Sequence, residues 1–427
     1  MQTAFTPEQL KDPNIAEANT VLRTCVRCGF CTATCPTYVL LGDERDSPRG
    51  RIYLIKNMLE SGAPATEETA RHVDRCLSCL ACMTTCPSGV NYMRLIDQAR
   101  IHVENTYARA LPERFMREVL AFVMPRPGIF RLAIIAAALG RPFRSVFAAL
   151  GLKRVDALFD LVPSLPKPPD RFGSPGTYPA QAARKGRVAL LRGCVQSVLD
   201  PGINAATIRL LTRLGYDVVV TSGESCCGSL THHMGKEDDA LARARRTIDQ
   251  WDAANVEAVI ITSSGCGVTI KDYGHMFRLE SEYAGKAARI AAKARDITEF
   301  LGSIELPAPS APKLRIAYHS ACSMQHGQKI RTLPQALLCG AGFEVVEAPE
   351  SHLCCGSAGT YNILQPDIAK KLRVRKVSNI ESTKPDVIAA GNLGCLTQIG
   401  AGTSIPLVHT VELLDWAYGG PKPDALG

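Results

Sequence analysis

The sequence predicts an α+β multidomain chain: a helical N-terminal part that carries two tight cysteine runs, then a C-terminal pair of homologous α/β lobes, each built around a Cys-Cys-Gly. Three observations predict it. A proline-rich stretch, Pro163 to Pro179, holds six prolines in seventeen residues and divides the chain, because repeated proline blocks helix propagation and leaves an extended linker. Upstream the cysteines are clustered and the pattern is helical, as over Ile52 to Leu59. Downstream, short β-branched runs alternate with capped helices, a βαβ rhythm that calls for a largely parallel sheet.

The segments follow in order. Residues 1–108 form the helical, cysteine-bearing domain, 109–162 a basic amphipathic segment, 163–186 the linker, and 187–306 and 313–427 the two lobes, joined near Leu306 to Pro312. In the first lobe Val188 to Leu191 reads as a strand. It is followed by a helix with Asp200 as N-cap, Pro201 at its first position and Gly215 at its stop, and then by a strand over Val218 to Val220. Cys194, Cys226, Cys227 and Gly228 recur 128 residues later as Cys322, Cys354, Cys355 and Gly356, and Cys266 recurs after 129 as Cys395. DVVV at Asp217 to Val220 matches EVVE at Glu344 to Glu347, so the lobes are an internal duplication.

Length and composition restrict the function. With 427 residues, 46% hydrophobic and 21% charged, the chain has enough apolar surface for two or three cores and is not a disordered or fibrous one. Seventeen cysteines in a chain this long argue for metal binding rather than a disulfide scaffold, and the opening MQTAFTPEQLKDPN lacks the basic and apolar regions of a secretory signal, so the thiols are expected to be reduced. No apolar run reaches the roughly 18 to 20 residues of a membrane span. Of the net charge of +8, Arg109 to Arg154 carries +7, nine Lys or Arg against Glu113 and Glu118. Neither aromatic interleaving nor zinc-finger spacing accompanies it, so nucleic acid is not an expected partner. Within it, Phe130 to Arg154 alternates apolar faces with arginines, which suits a membrane headgroup interface or a partner subunit.

The chemistry sits in the cysteines. Cys25, Cys28 and Cys31 are spaced two residues apart with Cys35-Pro36 three further on, and Cys76, Cys79, Cys82 and Cys86-Pro87 repeat the pattern. Three thiolates at this spacing wrap a loop around one face of a 4Fe-4S cube, and the fourth is carried away to the neighbouring cluster. Two clusters are therefore expected, one on Cys25, Cys28, Cys31 and Cys86, the other on Cys76, Cys79, Cys82 and Cys35. Structural zinc uses two separated pairs and needs neither the third cysteine nor the proline. Between the runs, 51 residues apart, DERDSPRGR places Arg45, Arg49 and Arg51 near the first, where positive charge would raise a cluster's potential.

The lobe cysteines, Cys194, Cys226, Cys227 and Cys266 in one and Cys322, Cys354, Cys355 and Cys395 in the other, fall at strand ends where loops converge. Each set suits a further iron–sulfur cluster, a zinc ion or an exchangeable disulfide. Lone Cys339, between Leu338 and Gly340, is expected to fill core. His232, His233 and His352 are expected at the surface or behind the ligands. Neither a G-x-G-x-x-G after a strand nor a P-loop occurs, so no dinucleotide site is expected.

CVRCGFCTATCPTYVLLGDERDSPRGRIYLIKNMLESG, Cys25 to Gly62, resembles the iron–sulfur subunits of glycolate oxidase, and the second run, the linker and both Cys-Cys-Gly lobes follow in that family's order over essentially the whole chain. The resemblance implies a non-catalytic electron-transfer subunit with no substrate site. Its partners would be an FAD-containing subunit, where glycolate becomes glyoxylate, and a second flavoprotein-like subunit. Quinone would be the acceptor, and the location peripheral, on the cytoplasmic side of the inner membrane. Iron–sulfur subunits of lactate and anaerobic glycerol-3-phosphate dehydrogenases and heterodisulfide reductase share the architecture. In the last of these the lobes end in Cys-x2-Cys, whereas Ser263 and Asn392 stand at the first of those positions here, which weighs against a disulfide-reducing enzyme. A redox-sensing regulator lacks any DNA-binding element.

Overall fold

A computed structural model describes residues 1–144, 158–159, 162, 165–168, 170, 172–224, 226–310 and 312–427. The end of the basic stretch and parts of the proline-rich linker, including Pro163 and Pro169, lie outside the described residues.

The N-terminal part is helical because its helices are individually well started. In α1 (Pro13–Thr24) the Asp12 carboxylate accepts from Asn14 N and proline holds the first position. In α2 (Pro48–Ser61) the Ser47 hydroxyl accepts from Gly50 N, and in α3 (Glu67–Asp74) Thr66 accepts from Thr69 N, with Glu67 and Glu68 in the first turn to meet the helix dipole. Each such cap contributes about 1 kcal/mol. Together with α4 (Tyr92–Thr106) they enclose Leu22, Ile55, Val73, Leu95, Ile96 and Ala99, all buried. Two further helices, α5 (Leu111–Val123) and α6 (Pro127–Gly140), run on from this bundle.

The basic segment is not free to act as one charged surface. Arg109, only 5% exposed, pairs with Asp74 at 2.6 Å and Glu113 at 2.8 Å, and Arg117 pairs with Glu104 at 2.8 Å and donates to the Met234 carbonyl. These two cations are thus spent inside the protein.

In the first lobe β1 (Gly176–Tyr178), β2 (Gly186–Leu190), β3 (Tyr216–Val220), β4 (Ala258–Ile261) and β5 (Ala294–Asp296) form a sheet of order β1-β3-β2-β4-β5, parallel except for β1. In the second, β6 (Arg315–His319), β7 (Glu344–Glu347), β8 (Val387–Ala390) and β9 (Leu407–His409) run β7-β6-β8-β9, all parallel. The order β3-β2-β4-β5 of one is the order of the other, as duplication requires. The central strands are buried on both faces, so Val188 to Leu190, Val259 to Ile261 and Ile388 to Ala390 read as unbroken apolar runs.

The lobe helices cover both faces. They include α7 (Gly202–Arg213), α8 (Glu237–Ala254), α9 (Ser264–Lys271), α10 (Leu333–Gly340), α11 (Pro366–Glu381), α12 (Leu393–Gly400) and α13 (Thr410–Ala417). The expected Asp200 cap is displaced: Asp200 closes the short helix Gln196–Leu199, and Pro201 stands before α7. Arg209 and Arg213 of α7 pair with buried Asp415 of α13, and His409 Nε2 lies 2.8 Å from the Thr262 carbonyl, so the lobes are fastened to each other. Cys339 is a correction. On α10 the buried residues are Pro334, Leu337 and Leu338, continued by Ala341; Cys339 falls off that stripe and is exposed.

The helical domain docks on both lobes. Arg94 makes a two-pronged bond to Asp272 with both distances 2.6 Å, Glu17 pairs with His275 and Arg278, and His232 lies 3.3 Å from Asp97. Burial alone would push the Asp97 carboxyl up, but His232 beside it holds it down at about 2. Thr84 meets His326 at 2.8 Å, and Tyr361 donates to the Arg75 carbonyl at 3.0 Å.

Candidate metal centres

The two cysteine runs follow one backbone path. The residue after the first intervening one is left-handed in each, Arg27 at φ 59° and Ser78 at φ 49°, and so is the residue four beyond the first cysteine, Gly29 at φ 89° and Leu80 at φ 60°. Left-handed backbone at Arg, Ser and Leu costs of order 1–3 kcal/mol each and persists only where the surroundings enforce it, which here curls each loop inward.

Cys25, Cys28 and Cys31 line one cavity, and Cys86 of the second run reaches into it, as does Cys82, with Val26, Phe30 and Ile52 as apolar wall. Cys28 is exposed, so this cavity lies at the surface. Burial pushes the Cys31 thiol up to about 11, a preference for the neutral form that a bound cation would reverse. Cys35 is turned the other way, its sulfur 3.3 Å from Thr37 Oγ1 and 3.8 Å from an Arg51 nitrogen. Around it lie Cys76, Cys79 and Cys82, and burial pushes the last two thiols well up. Tyr92 donates to Cys76 Sγ at 3.8 Å.

The three arginines expected near the first run have separate places. Arg49 lines its cavity and pairs with Glu44 at 2.7 Å. Arg45 is on the surface with Asp43 and Glu68. Arg51 points inward instead, because α2 turns it against Cys35 and the His72 carbonyl, and it is 1% exposed. It shares the single carboxylate of Asp46 with Arg75 and with His72 Nδ1 at 2.8 Å, which leaves excess positive charge beside the second run.

The lobe cysteines converge. Cys194, Cys226, Cys227 and Cys266 of the first lobe and Cys322, Cys354, Cys355 and Cys395 of the second line one cavity of about 250 Å³, which Cys76 also touches. They follow the C-terminal ends of β2, β3 and β4 and of β6, β7 and β8, where the strand order reverses and a crevice opens. The Cys322 and Cys354 sulfurs are 3.7 Å apart, and Cys79, like Cys322, packs against the apolar cluster that contains Cys354. In the first lobe the hydrogen bond between Cys194 and Cys226 raises the former thiol and lowers the latter.

The glycine of each Cys-Cys-Gly has a physical reason. Gly228 (φ +84°) and Gly356 (φ +92°) are left-handed, and a Cβ there would meet the carbonyl oxygen of Ala240 on α8 or Ala369 on α11 at 2.7 Å. Close approach of that helix brings a cation to each cysteine pair, Arg243 in the first lobe and Lys376 in the second.

Soft, mostly buried sulfur donors gathered in fours suit iron–sulfur clusters. Residues 21–90 match the model of the 4Fe-4S dicluster domain, and residues 188–271 and 316–400 that of the cysteine-rich domain. The chain is 43% identical to the glycolate oxidase iron–sulfur subunit of Escherichia coli K12 over 98% of its own length and 99% of that protein. It belongs to the glycolate oxidase iron–sulfur subunit family. A probable glycolate oxidase iron–sulfur subunit of Bacillus subtilis 168 is 31% identical over 93% of this chain and 94% of that one. A hypothetical protein from Helicobacter pylori shares the fold, with TM-score 0.57 and 11% identity over 97% of this chain and 74% of that one.

In this member of the glycolate oxidase iron–sulfur subunit family Asn392 serves the contact between lobes, together with Ser264, the neighbour of Ser263. Asn392 Nδ2 donates to Ser264 Oγ at 2.8 Å while its Oδ1 caps α12 at Gly394 N, and Ser264 Oγ lies 2.7 Å from Ser323 Oγ. Ser263 lines the shared cavity, as does His233; His352 lies outside it, its carbonyl 3.3 Å from His326. The residue missed from sequence is His319, buried at the end of β6. The 128-residue repeat contained the signal, since it sets His319 opposite Leu191 of the first lobe.

Proposed function

We propose that this chain relays electrons from an FAD-containing partner, where glycolate is oxidised to glyoxylate, towards a membrane quinone, through two 4Fe-4S clusters with crossed ligation. Cys25, Cys28, Cys31 and Cys86 would hold one and Cys76, Cys79, Cys82 and Cys35 the other. The observation that carries this reading is the line of thiols running inward: an exposed Cys28 at one end, Cys79 in the middle, and Cys322 and Cys354, which share an apolar cluster with Cys79, in the cavity of the lobes. Each cluster, when bound, accepts and passes on one electron at a time. The protein's part is to hold the thiolates at fixed separation, to shed water around the second run, and to place Arg51 where added negative charge is favoured. The shared cavity, lined by the eight lobe thiols, supports a further iron–sulfur cluster or zinc there.

The purified chain alone is expected to oxidise neither glycolate nor lactate, with turnover returning when the flavoprotein subunits are added. Hydroxy-acid oxidation by the flavin-free single chain would defeat the proposal.

We further propose peripheral attachment to an anionic membrane surface through α5 and α6. No helix among the described residues is long and apolar enough to cross a bilayer. Yet Leu111, Phe115, Phe122, Leu132 and Leu139 are 53% to 79% exposed, with Arg126 and Arg131 nearby in the chain. Phe115→Ser with Leu132→Ser should reduce sedimentation with phosphatidylglycerol vesicles at low salt. Equal partitioning of both proteins would pass the membrane role to another subunit.

A further inference from the structure

His319 has no role in holding the fold together that its hydrogen bonds reveal. It is 3% exposed, and its Nε2 has no hydrogen-bond partner, a situation that costs about 1–3 kcal/mol in a buried polar group. A ring nitrogen of His319 and the sulfurs of Cys355 and Cys395 all lie within 4.8 Å of one another, and those two cysteines are 1% and 4% exposed. We propose that His319 is a metal ligand, and that the second lobe holds a mixed imidazole–thiolate centre for a borderline-soft metal, zinc or iron.

The distances suit one metal atom. Zinc bonds sulfur at about 2.3 Å and imidazole nitrogen at about 2.0–2.1 Å, so donors this close converge on a single atom with small side-chain adjustments. Cys322 and Cys354, 3.7 Å apart, remain for further positions. Imidazole beside thiolate is a donor set shared by zinc and iron, and on an iron of a cluster it raises the potential relative to thiolate. The first lobe, with Leu191 at the homologous position, has no such group among the described residues. The duplicated lobes would then differ in chemistry: one all-thiolate, one histidine-ligated. A buried ring nitrogen without a partner, as at His319 Nε2, is expensive to keep, which is why the asymmetry points to a ligand rather than to packing.

The proposal rests on the reading that the lobes bind metal; the eight thiols of the cysteine runs do not enter it. The test uses the full chain purified without air, as wild type, as His319→Leu and as His319→Cys. Iron and zinc are counted, and nitrogen ligation is read from pulsed EPR for iron or X-ray absorption for zinc. Wild type should hold metal beyond the iron of the two cysteine runs, with an imidazole signature. His319→Leu should lose that signature, and most of that metal, while the signals of the cysteine-run clusters stay. His319→Cys should keep the metal without the nitrogen, which separates loss of a ligand from misfolding. A nitrogen signature unchanged in His319→Leu, or lobe metal lacking nitrogen in wild type, would overturn the proposal. So would a mass showing Cys355 and Cys395 joined as a disulfide. Absence of any metal beyond the cysteine runs would overturn it together with the lobe-metal reading, and would leave the electron-carrier reading standing.

Discussion

The first and second cysteine runs share their spacing, their trailing proline and the two left-handed turns of their loops, but the protein gives them opposite surroundings. The first lies at the surface, with Cys28 exposed and the partly exposed Arg49 lining its cavity. The second is closed in by Arg51, by Tyr92 and by the cysteines of the second lobe. Spacing therefore fixes how the chain wraps a cluster, whereas the insert between the runs and the docking of the lobes fix what the cluster feels. A surface site suits exchange with a partner, and a buried site suits hand-over within the chain.

The comparison can be broken most severely at its centre. Cys35→Ser should damage the second-run cluster more than the first, because its sulfur faces Cys76 and Cys79; EPR of the reduced protein showing loss confined to the first-run cluster would contradict the crossing. Next in size is Arg51→Gln. Removing a buried guanidinium leaves the Asp46 network incomplete, a loss of about 3–5 kcal/mol, and should lower the potential of the second-run cluster, as measured by redox titration with thermal unfolding alongside. Arg49→Gln at the exposed run should shift its potential less, since solvent and salt screen that charge. An equal shift at both runs would mean that burial does not distinguish them.

A smaller effect sharpens the picture of the lobes. Gly356→Ala puts a side chain at φ +92° and 2.7 Å from the Ala369 carbonyl, so both backbone strain and a clash oppose it. It should lower stability by about 1–3 kcal/mol. Gly42→Ala, at φ +67° with open space around it, should cost only about 1 kcal/mol. Melting temperatures that fall equally would show that the close packing of α11 is not what the glycine provides.

Local and repeated features were legible in the sequence. The cysteine spacing, the duplication, and the alternation of strand and helix around Val188 and Val218 all depend on residues near one another in the chain or on a fixed offset. What was not legible depends on docking. Eight lobe cysteines read as two sites meet in one cavity because the lobes pack face to face through Ser264, Ser323 and Asn392, contacts between residues up to 128 apart. Arg51 reads like Arg45 and Arg49 in a charged run, yet the turn of α2 buries it alone. Cys339 follows two buried leucines but lies off their face. His319 carries no motif, and only comparison of the repeat at its own position, with Leu191 opposite, distinguishes it.

The most direct test of the paired-cluster reading is the count of iron and acid-labile sulfide in anaerobically purified protein. Two complete sets of four thiols should give about eight or more of each per chain, with two separable reduction steps. A chain holding only zinc, or about four irons with a single step, would contradict it.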